Sequence, residues 1–186
     1  MIKHTVMAPD IEALQWLNTP EPLTLPALRG KVVAIHAFQM LCPGCVVHGI
    51  PQAVSMHKLF SQDELQVIGL HSVFEHHHVM TVDALQVFIH EYRLLFPIAV
   101  DKPSGTHPIP KTMRKLNLQG TPSLVLIDKA GRIRHHHFGQ LHDMQVGNMI
   151  GRLIAEPADM SLPEQEAVAA SAAMASGQCD DEGCRL

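Results

Sequence analysis

Short apolar runs alternate with longer segments of helical periodicity along most of this chain. The runs at 31–38 (KVVAIHAF) and 65–72 (LQVIGLHS) predict strands that are buried on both faces of a sheet. Residues 121–128 (TPSLVLID) predict a third strand of this kind, and residues 96–100 predict a shorter one. The chain therefore contains several strands of the type that fills the middle of a sheet.

Apolar residues recur at helical spacing between and after these strands. The segments concerned are 43–60, 81–92, 142–154 and, more weakly, 111–118. Pro51 lies inside the first of them and is expected to kink or interrupt that helix, because proline has no backbone N–H.

Both ends of the strand–helix pattern carry additional β signals. The turn at 129–131 (KAG) predicts a hairpin whose second strand is 132–138. Residues 1–30 contain several prolines and predict a short strand, a turn and a second short strand near 23–25.

The order of elements predicts an α/β fold with a mixed central β-sheet and helices on both faces. We divide the chain into a domain at 1–156, of which 1–30 is an N-terminal β extension, and a tail at 157–186. The tail is rich in Ala and Ser and contains few large apolar residues, so a loosely attached helix or a disordered segment is expected there.

Composition narrows the classes of function. The 186 residues are 46% hydrophobic and 17% charged, which suits one domain with a substantial core. A net charge of -4 gives no basic surface for nucleic acid, and no apolar stretch reaches the ~20 residues of a membrane helix. Residues 1–16 lack a continuous apolar signal segment, so a cytoplasmic location is expected. Oligomeric state is not predicted.

The segment 38–48, FQMLCPGCVVH, places Cys42 and Cys45 two residues apart between a predicted strand and a predicted helix. A structural zinc site needs about four ligands, and the sequence contains no second CxxC. A redox pair needs only this context, because the unpaired N–H groups and partial positive charge of a helix start stabilise a thiolate. CxxC thiols so placed have pKa values lowered to ~3.5–7.5.

These arguments assign different roles to the two sulfurs. Cys42, at the exposed helix start, is predicted to attack a disulfide, and Cys45, further in, to resolve the mixed disulfide. Pro43 suits the first helical turn, where its missing N–H would have had no partner. The predicted reaction uses no organic cofactor, because the two sulfurs hold the electrons. Its partner would be another protein's disulfide or a reducing system.

The segments GKVVAIHAFQMLCPGC, VIGLHS and QGTPSLVLIDKAGRIRHHHFG resemble a thioredoxin-fold protein of the TlpA-like or redoxin (AhpC/TSA-related) branch. Their order and spacing are similar to those of the thioredoxin-like domains found ahead of NHL repeats. The resemblance covers roughly residues 8–155 and implies a thiol–disulfide oxidoreductase. It also implies that Thr121-Pro122 is a cis peptide, packed against the CxxC, which hydrogen-bonds substrate and keeps metals off the thiols.

One position departs from that pattern. Thioredoxins bury an aspartate six residues before the first cysteine, and His36 stands there. His36 is predicted either to exchange a proton with Cys45 or, when charged, to raise the thiolate fraction of Cys42. The alternative is a neutral core histidine whose nitrogens are satisfied by hydrogen bonds or water.

Two other functions are weighed against the oxidoreductase. A peroxiredoxin-like thiol peroxidase would carry PxxxTxxC, but the matching places hold Ile35 and Gln39. A His/Cys metal-binding or copper-delivering protein would use Cys42, Cys45 and a histidine, although copper-delivery proteins of this fold usually have three residues between the cysteines.

The remaining histidines and cysteines have open roles. The triplets His76–His78 and His135–His137 are interpreted as solvated histidines of a loop and an edge strand, with a metal site as the alternative. Cys179 and Cys184 could form a disulfide, relay electrons to Cys42–Cys45, or be inert. The acidic DDE between them should raise their pKa values, which favours the inert interpretation.

Overall fold

The computed structural model describes residues 6–157, which form one six-stranded sheet with four α-helices. The strands are β1 (Ala13–Leu17), β2 (Val32–Phe38), β3 (Leu65–His71), β4 (Ile98–Asp101), β5 (Ser123–Ile127) and β6 (Ile133–Phe138). The helices are α1 (Ile50–Leu59), α2 (Val82–Glu91), α3 (Lys111–Lys115) and α4 (Asp143–Ala155). The predicted α/β fold is thereby confirmed.

The sheet is mixed, as the sequence predicted. Its strand order is β1-β4-β3-β2-β5-β6. Strand β3 lies parallel to both β2 and β4, whereas β5 lies antiparallel to β2 and β6. Strand β1 pairs antiparallel with β4 at one edge, which confirms the N-terminal β extension. Strand β2, which leads to the cysteine pair, therefore lies inside the sheet.

Two apolar cores cover the two faces of the sheet. We call the side to which Ala34 and Phe38 of β2 point the first face, and the side of Val33 and Ile35 the second face. The first face packs against α1, α2 and α4. The second face packs against α3, the 3-10 turn at Pro26–Leu28 and residues of the N-terminal segment. The prediction of helices on both faces is confirmed.

The prediction of a second short strand near residues 23–25 is wrong. Leu25 is buried, and its N–H donates to Oδ1 of Asp10 (2.9 Å) instead of to a neighbouring strand. Pro26 then begins the 3-10 turn, because its fixed φ suits a first helical turn and its missing N–H needs no partner there.

Pro51 widens the helix ahead of it rather than breaking it. Helical backbone begins at Pro43, passes through a π-helical turn at Cys45–Gly49 and continues as α1. The N–H of Ile50 donates to the carbonyl of Cys45, five residues earlier. The wider turn accommodates a residue that has no N–H to give to the regular helical ladder.

Some predictions concern residues that the structure does not describe. Apart from Pro157, the predicted tail and its Cys179 and Cys184 lie outside 6–157. The division of the chain at residue 156 stays a prediction. None of the helices within 6–157 has the length and apolar character required to cross a membrane.

Candidate active site

The cysteine pair lies where β2 gives way to a helix. Cys42 follows β2 by four residues and is half-buried, whereas Cys45 has no exposed surface. The N–H of Cys45 points at Sγ of Cys42 (3.4 Å), and the N–H of Val46 donates to the carbonyl of Cys42 (3.1 Å). Cys42 thus stands at the N-terminal end of the helix, with an otherwise unpaired helix N–H directed at its sulfur.

The two thiols have different surroundings. Burial raises the pKa of Cys45 above its ordinary value, and the hydrogen bond with the neighbouring Cys42 raises it further. Cys45 therefore holds its proton at neutral pH while Cys42 is the sulfur that solvent reaches. This difference in exposure is the one that sequence reasoning assigned to an attacking and a resolving cysteine.

The loop before β5 packs onto this helix start. The Thr121-Pro122 peptide bond is cis, which confirms the conformation that the resemblance implied. The thiol of Cys42 donates to the carbonyl of Thr121 (3.4 Å). A Cβ added to Gly44 would lie 3.3 Å from Cδ of Pro122, so the proline rests closely on the CPGC turn.

His36 lies behind the same proline. A Cβ on Gly49 would lie 2.5 Å from Cε1 of His36 and 3.1 Å from Cβ of Pro122. The glycine therefore lets the helix approach the imidazole and the proline together. No sequence signal indicated Gly49, because its neighbours come from β2 and from the loop before β5.

His36 is a neutral side chain with an unpaired nitrogen. It is 2% exposed, and its Nδ1 has no hydrogen-bond partner among the described residues. Burial lowers its pKa to about 4, so the imidazole is neutral at pH 7. The role that required a charged His36 is thus not supported, and the expectation that a neutral His36 would have both nitrogens satisfied also differs from the structure.

A cavity of about 260 Å³ lies beside the helix that follows the cysteine pair. His36 and Pro122 form part of its wall, His48 and Gln52 come from the helix, and residues 139–143 close the other side. Sequence reasoning missed His48, Gln52 and 139–143, because only the packing of α4 beside the CPGC helix brings them together.

A second buried histidine was also missed. His71 is 1% exposed on the first face, with its ring centroid 5.2 Å from that of Phe38. Its Nε2 has no partner within 6–157, and burial lowers its pKa to about 4. The available signal was its position at the end of an apolar run, VIGLHS, just as His36 interrupts VVAIHAF.

The histidine triplets lie where the sequence placed them. His76–His78 are exposed in the loop before α2, and His135–His137 belong to β6, the edge strand. Within residues 6–157, no group of three His, Cys, Asp or Glu side chains is arranged to hold a metal ion.

A sheet of this order with a CxxC at a helix start and a cis-proline beside it defines the thioredoxin-like thiol–disulfide oxidoreductases. The sequence model of the AhpC/TSA family matches residues 5–136. The chain belongs to the AhpC/TSA family, which confirms the resemblance to the redoxin branch.

Individual proteins agree with this assignment. The crystal structure of a thiol-disulfide isomerase from Corynebacterium glutamicum is 51% identical, with a TM-score of 0.77, and the match covers 81% of this chain and 98% of that one. Protein DipZ of Mycobacterium bovis is 31% identical over 136 residues, which are 72% of this chain and 18% of DipZ.

The resemblance to proteins with NHL repeats is also confirmed, at lower identity. NHL repeat-containing protein 2 of Bos taurus is 27% identical over 144 residues, which are 75% of this chain and 19% of that protein. This chain therefore spans about a fifth of the length of the curated relatives that it matches.

Proposed function

We propose that the protein is a dithiol–disulfide oxidoreductase in which Cys42 attacks and Cys45 resolves. The observation that carries this proposal is the contrast between the two sulfurs. Cys42 is accessible at a helix start with the N–H of Cys45 directed at it, and Cys45 is sealed behind it. A thiolate at such a position is stabilised and open to a substrate.

The proposed reaction moves two electrons between two sulfur pairs. The Cys42 thiolate attacks one sulfur of a substrate disulfide, and the other substrate sulfur leaves as a thiolate. Cys45 then loses its proton and attacks Sγ of Cys42, which releases the second substrate thiolate and leaves a Cys42–Cys45 disulfide. The substrate is reduced by two electrons, so the reaction needs no organic cofactor.

Thr121 and Pro122 are proposed to shape the substrate groove. The carbonyl of Thr121 accepts from the Cys42 thiol in the reduced protein, so this carbonyl lies beside the sulfur that a substrate would engage. Pro122 covers the CPGC turn and leaves the outer side of Cys42 open. We propose that an extended polypeptide carrying the disulfide lies along this loop.

His36 is proposed as the group that takes the proton of Cys45 during resolution. Cys45 packs in the core of the first face, and alternation along β2 directs His36 to the same face as Ala34 and Phe38. Nδ1 of His36 has no partner among the described residues, and the raised pKa of Cys45 makes its deprotonation the harder step. Because the pKa of His36 is about 4, the protonated imidazole is costly and would exist only while Cys45 attacks.

His71 provides a matched control for this role. It is an equally buried neutral histidine of the same sheet face, and it does not line the cavity beside the cysteines. His36→Gln should slow release of product from the mixed disulfide and change the pH profile of that step, whereas His71→Gln should not. Equal profiles for the two variants would eliminate proton transfer through His36.

Two rival functions are less well supported. A peroxidase needs a hydroxyl near the attacking sulfur, but the matching position holds Gln39, which is buried and whose Oε1 accepts from the N–H of Phe74 (3.4 Å). A metal carrier needs a third ligand, and the part of the chain from 6 to 157 offers no such group. Rapid direct turnover of hydrogen peroxide, or a stoichiometric metal on the thiols, would restore one of these rivals.

The proposed partners are protein disulfides or a reducing system. The cytoplasmic location, and with it work as a reductant, stays a prediction from the sequence. The equilibrium of the Cys42–Cys45 couple with glutathione would measure the direction of electron flow, since ~30 mV corresponds to a tenfold change in the equilibrium constant.

Cysteine variants test the proposed function. With insulin as the protein disulfide and dithiothreitol as reductant, Cys42→Ser should lower catalysed turnover to the uncatalysed background. Cys45→Ser should form the mixed disulfide and then stop, and that species should be visible by mass spectrometry. Retention of the wild-type rate by Cys42→Ser would overturn the proposal.

A further inference from the structure

We propose that the Cys179–Cys184 pair is the internal redox partner of Cys42–Cys45, and that the acidic residues between the tail cysteines dock in the imidazole-lined cavity beside Cys42. This inference rests on the proposed function, because it requires Cys42 to exchange disulfides. It adds the identity of one partner, a named segment of the same chain.

The cavity and the attacking sulfur share the Thr121-Pro122 loop as a neighbour. Pro122 forms part of the cavity wall, and the carbonyl of the preceding Thr121 lies 3.4 Å from Sγ of Cys42. Val47, which follows Cys42 by five residues, lines the same cavity, and 63% of its surface is exposed. A peptide bound in the cavity could therefore extend past Pro122 toward Cys42.

The chemistry of the cavity wall suits a ligand that carries carboxylates. Three imidazoles line it, from His36, His48 and His142. Nδ1 of His142 accepts from the N–H of Met144 (3.3 Å), which leaves Nε2 as the ring nitrogen that carries a proton and can donate it. Nδ1 of His36 has no partner within the described part of the chain.

One carboxylate belongs to the wall, and it already has a partner. Oδ1 of Asp143 accepts from Nε2 of Gln52 (2.8 Å), which also donates to the carbonyl of Leu141 (2.9 Å). The wall therefore offers imidazole donors, while its own acceptor is engaged. An acidic side chain is the ligand that would satisfy these donors.

The chain itself contains such a ligand next to a cysteine. Residues 179–184 read CDDEGC, so Asp180 directly follows Cys179. If the Asp180 carboxylate bound in the cavity, the neighbouring Cys179 would be directed toward Cys42. In contrast, the acidic residues Glu164 and Glu166 have no cysteine within ten positions.

The length of the chain permits this contact. Helix α4 begins at Asp143 in the cavity wall and ends at Ala155, and 13 helical residues span ~20 Å. The 22 residues from 158 to 179 can span at most ~75 Å. Cys179 can therefore return from the far end of α4 to the cavity where that helix starts.

The exchange balances without any further reactant. The Cys42 thiolate attacks Sγ of Cys179 in an oxidised tail, the Cys179–Cys184 bond breaks, and Cys184 leaves as a thiolate. Cys45 loses its proton and attacks Sγ of Cys42, which forms Cys42–Cys45 and releases Cys179 as a thiolate. Two electrons pass from the CPGC pair to the tail, and the reverse reaction follows the same steps.

Docking also changes the effect of the acidic neighbours. In free solution they disfavour thiolates at Cys179 and Cys184 and slow their departure. Hydrogen bonds from imidazoles to those carboxylates would offset this repulsion. The same residues that make the cysteines unreactive alone would thus help them to react at this site.

A trapping experiment on the full chain tests the inference. In the Cys45→Ser chain, oxidised glutathione oxidises the tail pair, and the Cys42–Cys179 disulfide should then accumulate. Peptide mass mapping should find this cross-link in material that runs as a monomer on a non-reducing gel. Adding Asp180→Asn, Asp181→Asn and Glu182→Gln should slow its formation at least ~10-fold. The matched control, Glu164→Gln with Glu166→Gln, should leave the rate unchanged.

A second matched pair of variants tests the wall of the cavity. His48→Gln should slow the cross-link several-fold, whereas His76→Gln, in an exposed loop, should not. A cross-link that is absent, that forms only between chains, or that forms equally fast without the acidic residues would overturn the inference. If Cys42 still forms a disulfide with glutathione, the proposed function survives that result, and if it does not, both proposals fail.

Discussion

The buried carboxylate of Asp101 on the second face and the buried histidines of the first face differ in their hydrogen bonding. On the second face, Asp101 accepts hydrogen bonds from the N–H groups of Thr112 and Met113 (both 2.8 Å) and from the hydroxyl of Ser72 (2.9 Å). On the first face, His36 and His71 each keep a buried nitrogen without a partner among the described residues. The carboxylate of Asp101 on the second face is fully hydrogen-bonded, whereas these two imidazoles of the first face are partly unsatisfied.

The difference separates a structural role from a functional one. Burial raises the pKa of Asp101, and the hydrogen bonds from Thr112 and Met113 oppose that rise while they attach α3 to the end of β4. Nothing comparable offsets the burial of the two histidines. Unsatisfied buried groups cost stability, so the unpaired nitrogen of His36, which lines the cavity behind Pro122, points to a use in the chemistry of the cysteines.

The largest expected effect is a loss of stability in acid. The folded-state pKa of each buried histidine, about 4, lies below the ordinary 6.5, so the unfolded chain binds more protons between these values. Stability is therefore full above pH 6.5 and falls as the pH decreases to 4, by about 3 kcal/mol for each histidine and about 6 for the pair. Urea unfolding at intervals from pH 7.5 to 4 measures it.

Difference curves assign this loss to the first face. Subtracting the pH dependence of His36→Gln from that of the wild type should leave the contribution of one histidine. The exposed His76, changed to Gln, should leave the curve as it is. A His36→Gln curve as steep as that of the wild type would contradict the contrast between the faces.

The next effect concerns the satisfied carboxylate. Asp101→Ala removes the acceptor from two buried N–H groups at the start of α3 and should lower the free energy of unfolding by about 3 kcal/mol. Asp101→Asn keeps one acceptor oxygen and should cost less. Insulin reduction under conditions where the variants are folded should remain at the wild-type rate. A selective loss of that rate would mean that the second face also serves the chemistry.

A smaller effect distinguishes two helical glycines. Gly49→Ala places a Cβ 2.5 Å from Cε1 of His36 and should destabilise the protein by about 1–3 kcal/mol. Gly147→Ala in α4 meets nothing within 4 Å and should stabilise it by about 0.5–1 kcal/mol. Thermal unfolding of the two variants compares them directly. Similar shifts for both would show that the helix does not press on His36.

Much of the fold could be predicted from the sequence, because burial on both faces makes a strand continuously apolar. The run KVVAIHAF became β2 with one residue trimmed, and the CPGC motif stands at a helix start. The cis form of Thr121-Pro122 came from family resemblance, since a proline at a strand start is physically ordinary. The false strand near 23–25 failed because the Asp10 side chain, ten or more residues away, took the backbone hydrogen bond.

The surroundings of the cysteines could not be predicted from the sequence pattern. The cavity joins residues of β2, of the CPGC helix and of 139–143, and their spacing in sequence has no period. His36 was noticed only because it replaces an aspartate of the family pattern. Its contact with Gly49 depends on how closely a helix packs against a strand, which composition and periodicity do not encode.

The π-helical turn at Cys45–Gly49 acts as a rotational offset within the CPGC helix. One additional residue in a turn rotates everything after it by about 100° relative to a regular helix. Pro51, Gln52 and Ser55 face the cavity with that offset in place. Removing a single residue from the turn would swing a different set of side chains toward residues 139–143, so the lining opposite α4 depends on an irregularity a few residues from the reactive sulfur.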